Sequence, residues 1–166
     1  MYWIFVLGLD SAGKTAYISR FKEGVFKSTT RTIGHSVEKI SYNNKIFTFM
    51  DMGGQKQFRQ DWLSGSTWGY HRKRAKLENT AVIYVLDPLD ERKTENKQYF
   101  NEVTNAFKKP ALILFTKLDL ITNFDLSNAL QELEIPEDIP VISTSAKSGK
   151  NISETIDYLL ENEFKK

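Results

Sequence analysis

The sequence predicts an α/β fold: a mainly parallel six-stranded sheet with one antiparallel edge strand and helices on both faces. Two observations predict it. Apolar runs of strand length alternate along the chain with segments of helical pattern, and this alternation builds a parallel sheet whose crossovers cover both faces. A glycine-rich loop, Gly8-Leu9-Asp10-Ser11-Ala12-Gly13-Lys14-Thr15, also stands between the first such run and the first helical segment.

Each element has its own signal. Residues 2–7 (YWIFVL) are an unbroken apolar run leading straight into the glycine loop. Residues 37–41 and 46–51 flank Asn43-Asn44, a two-residue turn signal, so they read as a hairpin that supplies the antiparallel edge. Residues 81–86 (AVIYVL) and 111–115 (ALILF) read as further buried strands, with a shorter one at Val141-Ile142. Helical patterns occupy residues 14–22, 91–108, 125–133 and 153–164. Asn151, with Glu154 three residues on, resembles a capping box opening the last of these. No repeat or second domain is visible, and residues 1–166 read as one domain.

Composition narrows the function. A chain of 166 residues with 40% hydrophobic side chains has the size and apolar content of a packed domain, able to bury about two-thirds of its unfolded surface. A net charge of +2 is too small to imply nucleic-acid binding, and no nucleic-acid partner is expected. There is no cysteine, which removes disulfides, thiolate metal sites, S-palmitoylation and prenylation. Tyr2 follows Met1, so the chain as it stands offers no glycine for N-myristoylation. No apolar run reaches the roughly 18 residues of a membrane span. A reducing cytoplasm is the expected compartment.

The glycine loop has the pattern G-x-x-x-x-G-K-T in the context that gives it meaning, after a strand and before a helix. Glycines allow the tight turn that lets successive N–H groups converge on phosphate oxygens. Lys14 is placed to reach the β- and γ-phosphates, and Thr15 to put its hydroxyl on Mg²⁺. The positive end of the following helix adds to the attraction for anions, and Asp10, Ser11, Ala12, Gly13, Lys14, Thr15 and Ala16 are the expected phosphate-binding residues. The alternative is a chance glycine turn, and both flanking elements argue against it.

A second constellation selects the base. Thr116-Lys117-Leu118-Asp119 directly follows a buried strand, where ligands of parallel sheets collect. A carboxylate at Asp119 can accept from the N1–H and 2-amino groups of guanine, whereas adenine would leave it unpaired. The Lys117 stem can lie over the base plane. Ser145-Ala146-Lys147 follows the last strand, where the Ala146 N–H can bind the guanine O6. Each piece alone could be a helix cap or a common tripeptide; in this order, downstream of the phosphate loop, they indicate GTP or GDP. A P-loop ATPase is disfavoured by Asp119.

These motifs carry a family likeness. The chain resembles the small GTPases, and within them the Arf/Sar group, over essentially its whole length. Gly8 to Thr15 matches the Arf-type G-L-D-x-A-G-K-T loop including its aspartate, Thr32-Ile33-Gly34 with Val37-Glu38 matches the first switch, and Asp51-Met52-Gly53-Gly54-Gln55 matches the D-x-G-G-Q of the second. Thr116 replaces the commoner asparagine of the base motif. The resemblance implies the P-loop GTPase fold and a set of roles. Thr32 binds Mg²⁺ and senses the γ-phosphate, and Asp51 holds a water on the metal. The Gly54 N–H contacts the γ-phosphate, and Gln55 orients the attacking water. It further implies slow GTP hydrolysis and a two-state signal in membrane trafficking or recruitment. The implied partners are an exchange factor (GEF), an activating protein (GAP) and effectors of unknown identity. A monomer is expected. Arg31, beside Thr32, reads better as a solvated switch arginine than as an arginine finger in cis.

Three departures from the relatives stand out. Arf proteins usually precede the first strand with an amphipathic, lipidated helix, and the first residues here already read as the strand. The aromatic cluster by which Arf effectors read the switches falls on His35, Met50 and Gly65, none aromatic, although Arg59 and Trp62 keep the second-switch spacing. An apparent insertion, residues 64–76, brings Trp68 and Tyr70 beside His71, Arg72, Lys73, Arg74 and Lys76. It reads either as a solvated loop or as a docking element (residues 68–76) for an anionic membrane or an acidic partner, which would add peripheral membrane attachment. A GTP-stabilised scaffold with negligible turnover is the alternative function. His35 and His71 are too isolated to suggest a metal site.

Overall fold

The structure, a computed structural model, describes residues 1–30, 32–122 and 125–164; Arg31, weighed above as a switch arginine, lies outside the described residues. The expected sheet forms. Strands β1 (Tyr2–Leu7), β2 (His35–Tyr42), β3 (Lys45–Met52), β4 (Thr80–Leu86), β5 (Leu112–Phe115) and β6 (Val141–Ser143) stand in the order β2-β3-β1-β4-β5-β6. Every neighbouring pair is parallel except β2 with β3. Their hairpin turns at Asn43 and Asn44, which have φ of 48° and 59°; a tight hairpin needs such left-handed residues, and asparagine tolerates them better than most.

Alternation along the central strands divides the core. Ile4 and Val6 of β1 pack with Ile83 and Val85 of β4 toward α1 (Lys14–Glu23) and α6 (Ile152–Asn162). Phe5 and Leu7 point the other way, into a cluster with Tyr84, Tyr99 and Phe100 under α4 (Lys93–Ala106). α2 (Lys56–Leu63) and α5 (Leu126–Glu132) complete that layer, with Asp125 capping α5 by accepting from the Asn128 N–H at 3.0 Å. The strict period of two in β1 therefore places residues on both buried faces from one apolar run.

Three sequence expectations change. Helix α2 was not anticipated, because KQFRQDWL carries few apolar residues and buries Arg59 along with Trp62. The capping box at Asn151 does not form: Asn151 is left-handed (φ 56°), makes no side-chain cap, and donates instead to the Ser143 carbonyl at 2.8 Å.

The insertion is the third and largest change. It is not a loop but a 3₁₀ turn (Ser66–Trp68) followed by α3 (Gly69–Ala75). Trp68 is only 7% exposed and sits edge-on to Trp62 at 4.2 Å and to His35 at 4.7 Å. Arg72 donates to the carbonyls of Trp62 and Gly65, each at 3.0 Å, and Arg74 lies over the Trp3 ring. The charge run thus has two faces: these residues fasten α3 to the core, while Tyr70, Lys73, Lys76 and Leu77 remain exposed. Trp68 also supplies a ring beside His35, where the sequence comparison found no aromatic residue. We predict that Trp68→Ala lowers unfolding free energy by about 3–5 kcal/mol, measured by urea denaturation; a loss within error would mean the segment is a solvated loop after all.

Candidate nucleotide-binding site

The glycine loop leaves β1 at the C-terminal edge of the sheet and turns into α1. Gly8 has φ 143°, and a Cβ there would come within 2.3 Å of the Val85 carbonyl oxygen. Gly13 has φ 95°, and its Cβ would press on the Thr116 side chain at 3.2–3.3 Å. Both positions therefore require glycine on conformation and on space. Lys14 folds back over the loop and donates to the carbonyls of Gly8 at 3.0 Å and Leu9 at 2.6 Å. A cavity of about 280 Å³ opens above the loop. Asp10, Ser11, Gly13, Lys14, Thr15 and Ala16 form its floor. Its rim holds Thr32 and Gly54 from the switches, Lys117, and two residues the sequence reading missed, Thr29 and Thr30. Ala12 is buried beneath the loop rather than in the wall.

Burial holds the Lys14 pKa down at about 8, against the pull of Asp51 and Asp10, which raise it. Between that value and the ordinary 10.5 the unfolded chain keeps a proton the folded chain releases, so stability of the free protein rises with pH across that window. Phosphate oxygens beside Lys14 would favour its charged form. Nucleotide binding at about pH 9 is thus expected to take up close to one proton, and affinity to weaken as pH rises above about 8. Calorimetry in two buffers of different ionisation enthalpy reads this directly, and zero net uptake would sink it.

A metal position follows from the oxygens. Thr15 Oγ1 and Thr32 Oγ1 lie 2.8 Å apart, Thr15 Oγ1 donates to Asp51 Oδ2 at 2.6 Å, and Thr32 Oγ1 to the same atom at 3.1 Å. Adjacent vertices of an octahedron with arms of about 2.1 Å are about 3 Å apart, so this spacing fits Mg²⁺. Asp51 Oδ1 is buried and unpartnered among the described residues, as befits a lone pair reserved for a cation or its water. The hard oxygen donors suit Mg²⁺.

The base motifs converge on an adjoining cavity of about 260 Å³, lined by Ala16, Thr116, Lys117, Asp119, Ala146 and Lys147. Gly13, Ala16 and Lys117 border both cavities. Ser145 stands behind the wall and donates to Asp119 Oδ1 at 2.6 Å, which orients the carboxylate. Lys117 is left-handed (φ 57°) and its ammonium meets Asp87 at 2.5 Å, laying the stem along the cavity. Thr116 donates from Oγ1 to the Ala12 carbonyl at 2.6 Å. The threonine that departs from the commoner asparagine therefore still ties the base loop to the phosphate loop. Phe26 and Leu120 also line this cavity; both are exposed apolar residues, and although Leu120 directly follows the Thr116–Asp119 motif, neither belongs to a motif that would mark it.

Gln55 is brought to a different place. It lines a neighbouring cleft with Arg59, Arg92 and Glu95, and among the described residues only Asp10 borders both that cleft and the phosphate cavity. Arg59 is buried, stacks on Tyr99, and donates to the Gly54 carbonyl at 2.8 Å and to Glu95 at 2.7 Å. Trp62 donates to the Gly53 carbonyl at 3.0 Å, and the Gly53 N–H to the Gly34 carbonyl at 2.7 Å. Residues 53–54 are thus held against the phosphate loop from behind. The groups that could hold Mg²⁺ and a nucleoside phosphate share one edge of the sheet, as ligand sites of parallel sheets do.

Comparison with known proteins agrees with this architecture. The sequence profile of the ADP-ribosylation factor family matches residues 1–163. Over 165 residues the chain is 34% identical to ADP-ribosylation factor 3 of Arabidopsis thaliana, covering 94% of this chain and 85% of that one. ADP-ribosylation factor 1 of Brassica rapa subsp. pekinensis is similar to the same degree, 34% over 165 residues with the same coverage. Among solved structures, the chain is similar to the Arl6 BBS3 small GTPase from Trypanosoma brucei with bound nucleotide analogue GppNp. The TM-score is 0.76 at 24% identity, covering 98% of this chain and 96% of that one, a likeness that speaks for the fold.

Proposed function

This chain belongs to the ADP-ribosylation factor family, and from that premise we propose that it is a guanine-nucleotide switch that hydrolyses GTP slowly and is accelerated by a partner. The observation that carries the reading is the meeting of Thr15, Thr32 and Asp51 oxygens beside the Lys14 loop, because it joins a switch residue to the phosphate site. The roles follow. Lys14 and the N–H groups from Asp10 through Ala16 bind the phosphates, and Thr15, Thr32 and Asp51 hold Mg²⁺. Asp119 and Ala146 read the base, with Thr116, Lys117, Ser145 and Lys147 in support. Gly54 reports the γ-phosphate and Gln55 orients water. Bound Mg²⁺ would neutralise charge on the transferred phosphoryl group. Recruitment to membranes in trafficking, with exposed Tyr70, Lys73 and Lys76 as the contact, extends the reading, as do a monomeric state and a cytoplasmic home.

The place of Gln55 outside the phosphate cavity favours one second reading, a GTP-stabilised scaffold with negligible turnover. Nucleotide released from the purified protein, run by chromatography, separates the two: GDP is expected for the switch, GTP for the scaffold. Single-turnover hydrolysis then tests Gln55. Gln55→Leu is expected to lower the rate at least about tenfold; a rate equal to wild type, with and without an activating protein, removes Gln55 from the mechanism.

A further inference from the structure

Helix α3 and the turn before it carry two faces of different chemistry. Trp68, His71, Arg72 and Ala75 recur at the three- and four-residue spacing of one helix face and turn inward. Tyr70, Lys73 and Leu77 recur on the opposite side with Lys76 beside them, and all four are exposed. Four of the residues from 69 to 79 are arginine or lysine and one, Glu78, is acidic, so the element as a whole is positive. Its two basic types are sorted. The arginines are occupied by carbonyls and by the Trp3 ring, whereas neither lysine has an acidic partner among the described residues. Arginine's fork matches the fixed geometry of a carboxylate, while lysine is a point charge on a flexible stem. An outer face of two lysines, a tyrosine and a leucine, with both arginines turned away, therefore suits a diffuse anionic lipid surface better than a carboxylate-bearing peptide.

The switches clamp the inner face. The Trp68 ring stands in a slot between His35 at 4.7 Å and Trp62 at 4.2 Å, edge-on to both. His35 opens β2 shortly after Thr32, whose hydroxyl reaches Thr15 and Asp51 at the metal position. Trp62 donates to the Gly53 carbonyl, next to the Gly54 that lies against the phosphate loop. Each wall of the slot thus hangs on a residue assigned to the metal or to the γ-phosphate. Arg72, bonded to the Trp62 and Gly65 carbonyls, ties α3 to the end of α2. A helix of 7 residues is too short to persist alone in water, so α3 keeps its shape only while the slot is closed.

We infer that α3 is a nucleotide-gated membrane-docking element. GTP, by drawing in both switches, closes the slot around Trp68 and presents Tyr70, Lys73, Lys76 and Leu77 to an anionic lipid surface. Loss of the γ-phosphate releases the switches, opens the slot and lowers membrane affinity. The inference deepens, and rests on, the switch and membrane readings above.

Vesicle flotation of the full chain with Mg²⁺ provides the test, comparing the GDP form with the form holding a non-hydrolysable GTP analogue. The vesicles are phosphatidylcholine, with and without a third of phosphatidylserine. The analogue form is expected to partition onto the anionic vesicles roughly tenfold more than the GDP form. Lys73→Ala combined with Lys76→Ala should lower its partition roughly ten- to thirtyfold, the scale of two lysines at an anionic surface. His35→Ala removes one wall of the slot at an exposed position, without the stability cost of Trp68→Ala. It should bring the two forms to within about threefold of each other. His35→Phe, which restores a ring, should recover the difference, a rescue not expected if His35 only supports β2. Equal partition of the two wild-type forms, or a difference unchanged in His35→Ala, overturns the gating and leaves the membrane contact standing. Partition that ignores the lysines, or none at all, overturns the membrane reading and the inference with it. Retention by an immobilised polyglutamate peptide in place of vesicles would make an acidic protein the occupant, with the same result. A chain that takes up neither guanine nucleotide removes the switch reading, and the gating with it.

Discussion

Asp119→Asn is expected to convert the site from guanine to xanthine nucleotides. Guanine offers two donors on one edge, N1–H and the 2-amino group, and an ionised Asp119 accepts both. An asparagine amide presents one acceptor and one donor instead. The NH₂ then faces the guanine amino group, so one bond is lost and two donors oppose each other. Losing one charge-assisted bond, which contributes about 1.5–3 kcal/mol, and leaving two buried donors opposed at a further cost of about 1–3 kcal/mol should together weaken GDP roughly 10²–10⁴-fold. Xanthine carries a carbonyl where guanine has its amino group, and that oxygen pairs with the new NH₂. The surroundings can hold the amide in place, because the Ser145 hydroxyl that now donates to Asp119 Oδ1 at 2.6 Å can donate equally to an amide oxygen. Competition of GDP and XDP for the purified variant decides it. If GDP remains the tighter ligand, Asp119 does not read the base edge.

The base site shows how much of the protein was legible before the structure. The loop from Gly8 to Thr15 and the motifs at Thr116 and Ser145 could be placed because each follows a strand that reads plainly as apolar, so the edge of the sheet where they meet was already implied. Strands β1, β4 and β5 came through for the same reason, because burial on both faces forces continuous apolar runs. The edge strand β2 instead alternates between exposed and covered positions and was legible through the Asn43-Asn44 turn that follows it. What stayed illegible depended on pairings distant in sequence. Helix α2 buries Arg59, whose stability there comes from Glu95 and the Gly54 carbonyl, partners 36 and 5 residues away. The basic run from His71 to Lys76 read as surface because charge runs usually are. Two of its arginines are instead occupied by carbonyls and by the Trp3 ring, and Trp68, just ahead of it, is drawn into the aromatic cluster by Trp62 and His35. Arg92 carried no motif, and only the folded chain brings it to Asp10, 82 positions away.

The second large effect is expected at Gly54. A single added methyl group there would fall 2.3 Å from the Asp10 nitrogen, the Gly8 oxygen and the Leu9 carbonyl carbon, all backbone atoms. One side must yield, and the bonds on each side say which. The phosphate loop is locked by Lys14 on the Gly8 and Leu9 carbonyls, by Arg92 on the Asp10 carbonyl, and by the close approach of Gly8 to the Val85 carbonyl. Residues 53–54 are held by three hydrogen bonds, from Arg59, from Trp62 and to Gly34, each contributing about 1 kcal/mol net. The second switch therefore moves away and the loop stays. Gly54→Ala should then bind GDP within about threefold of wild type. Its single-turnover GTP hydrolysis should fall about a hundredfold, the scale reported for a misplacement of about 1 Å at a reacting centre. Tryptophan fluorescence provides an independent reading, since Trp62 donates to the Gly53 carbonyl and packs on Trp68. Its response to exchanging GDP for a non-hydrolysable GTP analogue should be lost in the variant. A variant that hydrolyses GTP at the wild-type rate would show that the contact between Gly54 and the phosphate loop plays no part in catalysis. A variant that loses GDP as well would place the yielding side in the loop, because only a displaced loop would release both nucleotides.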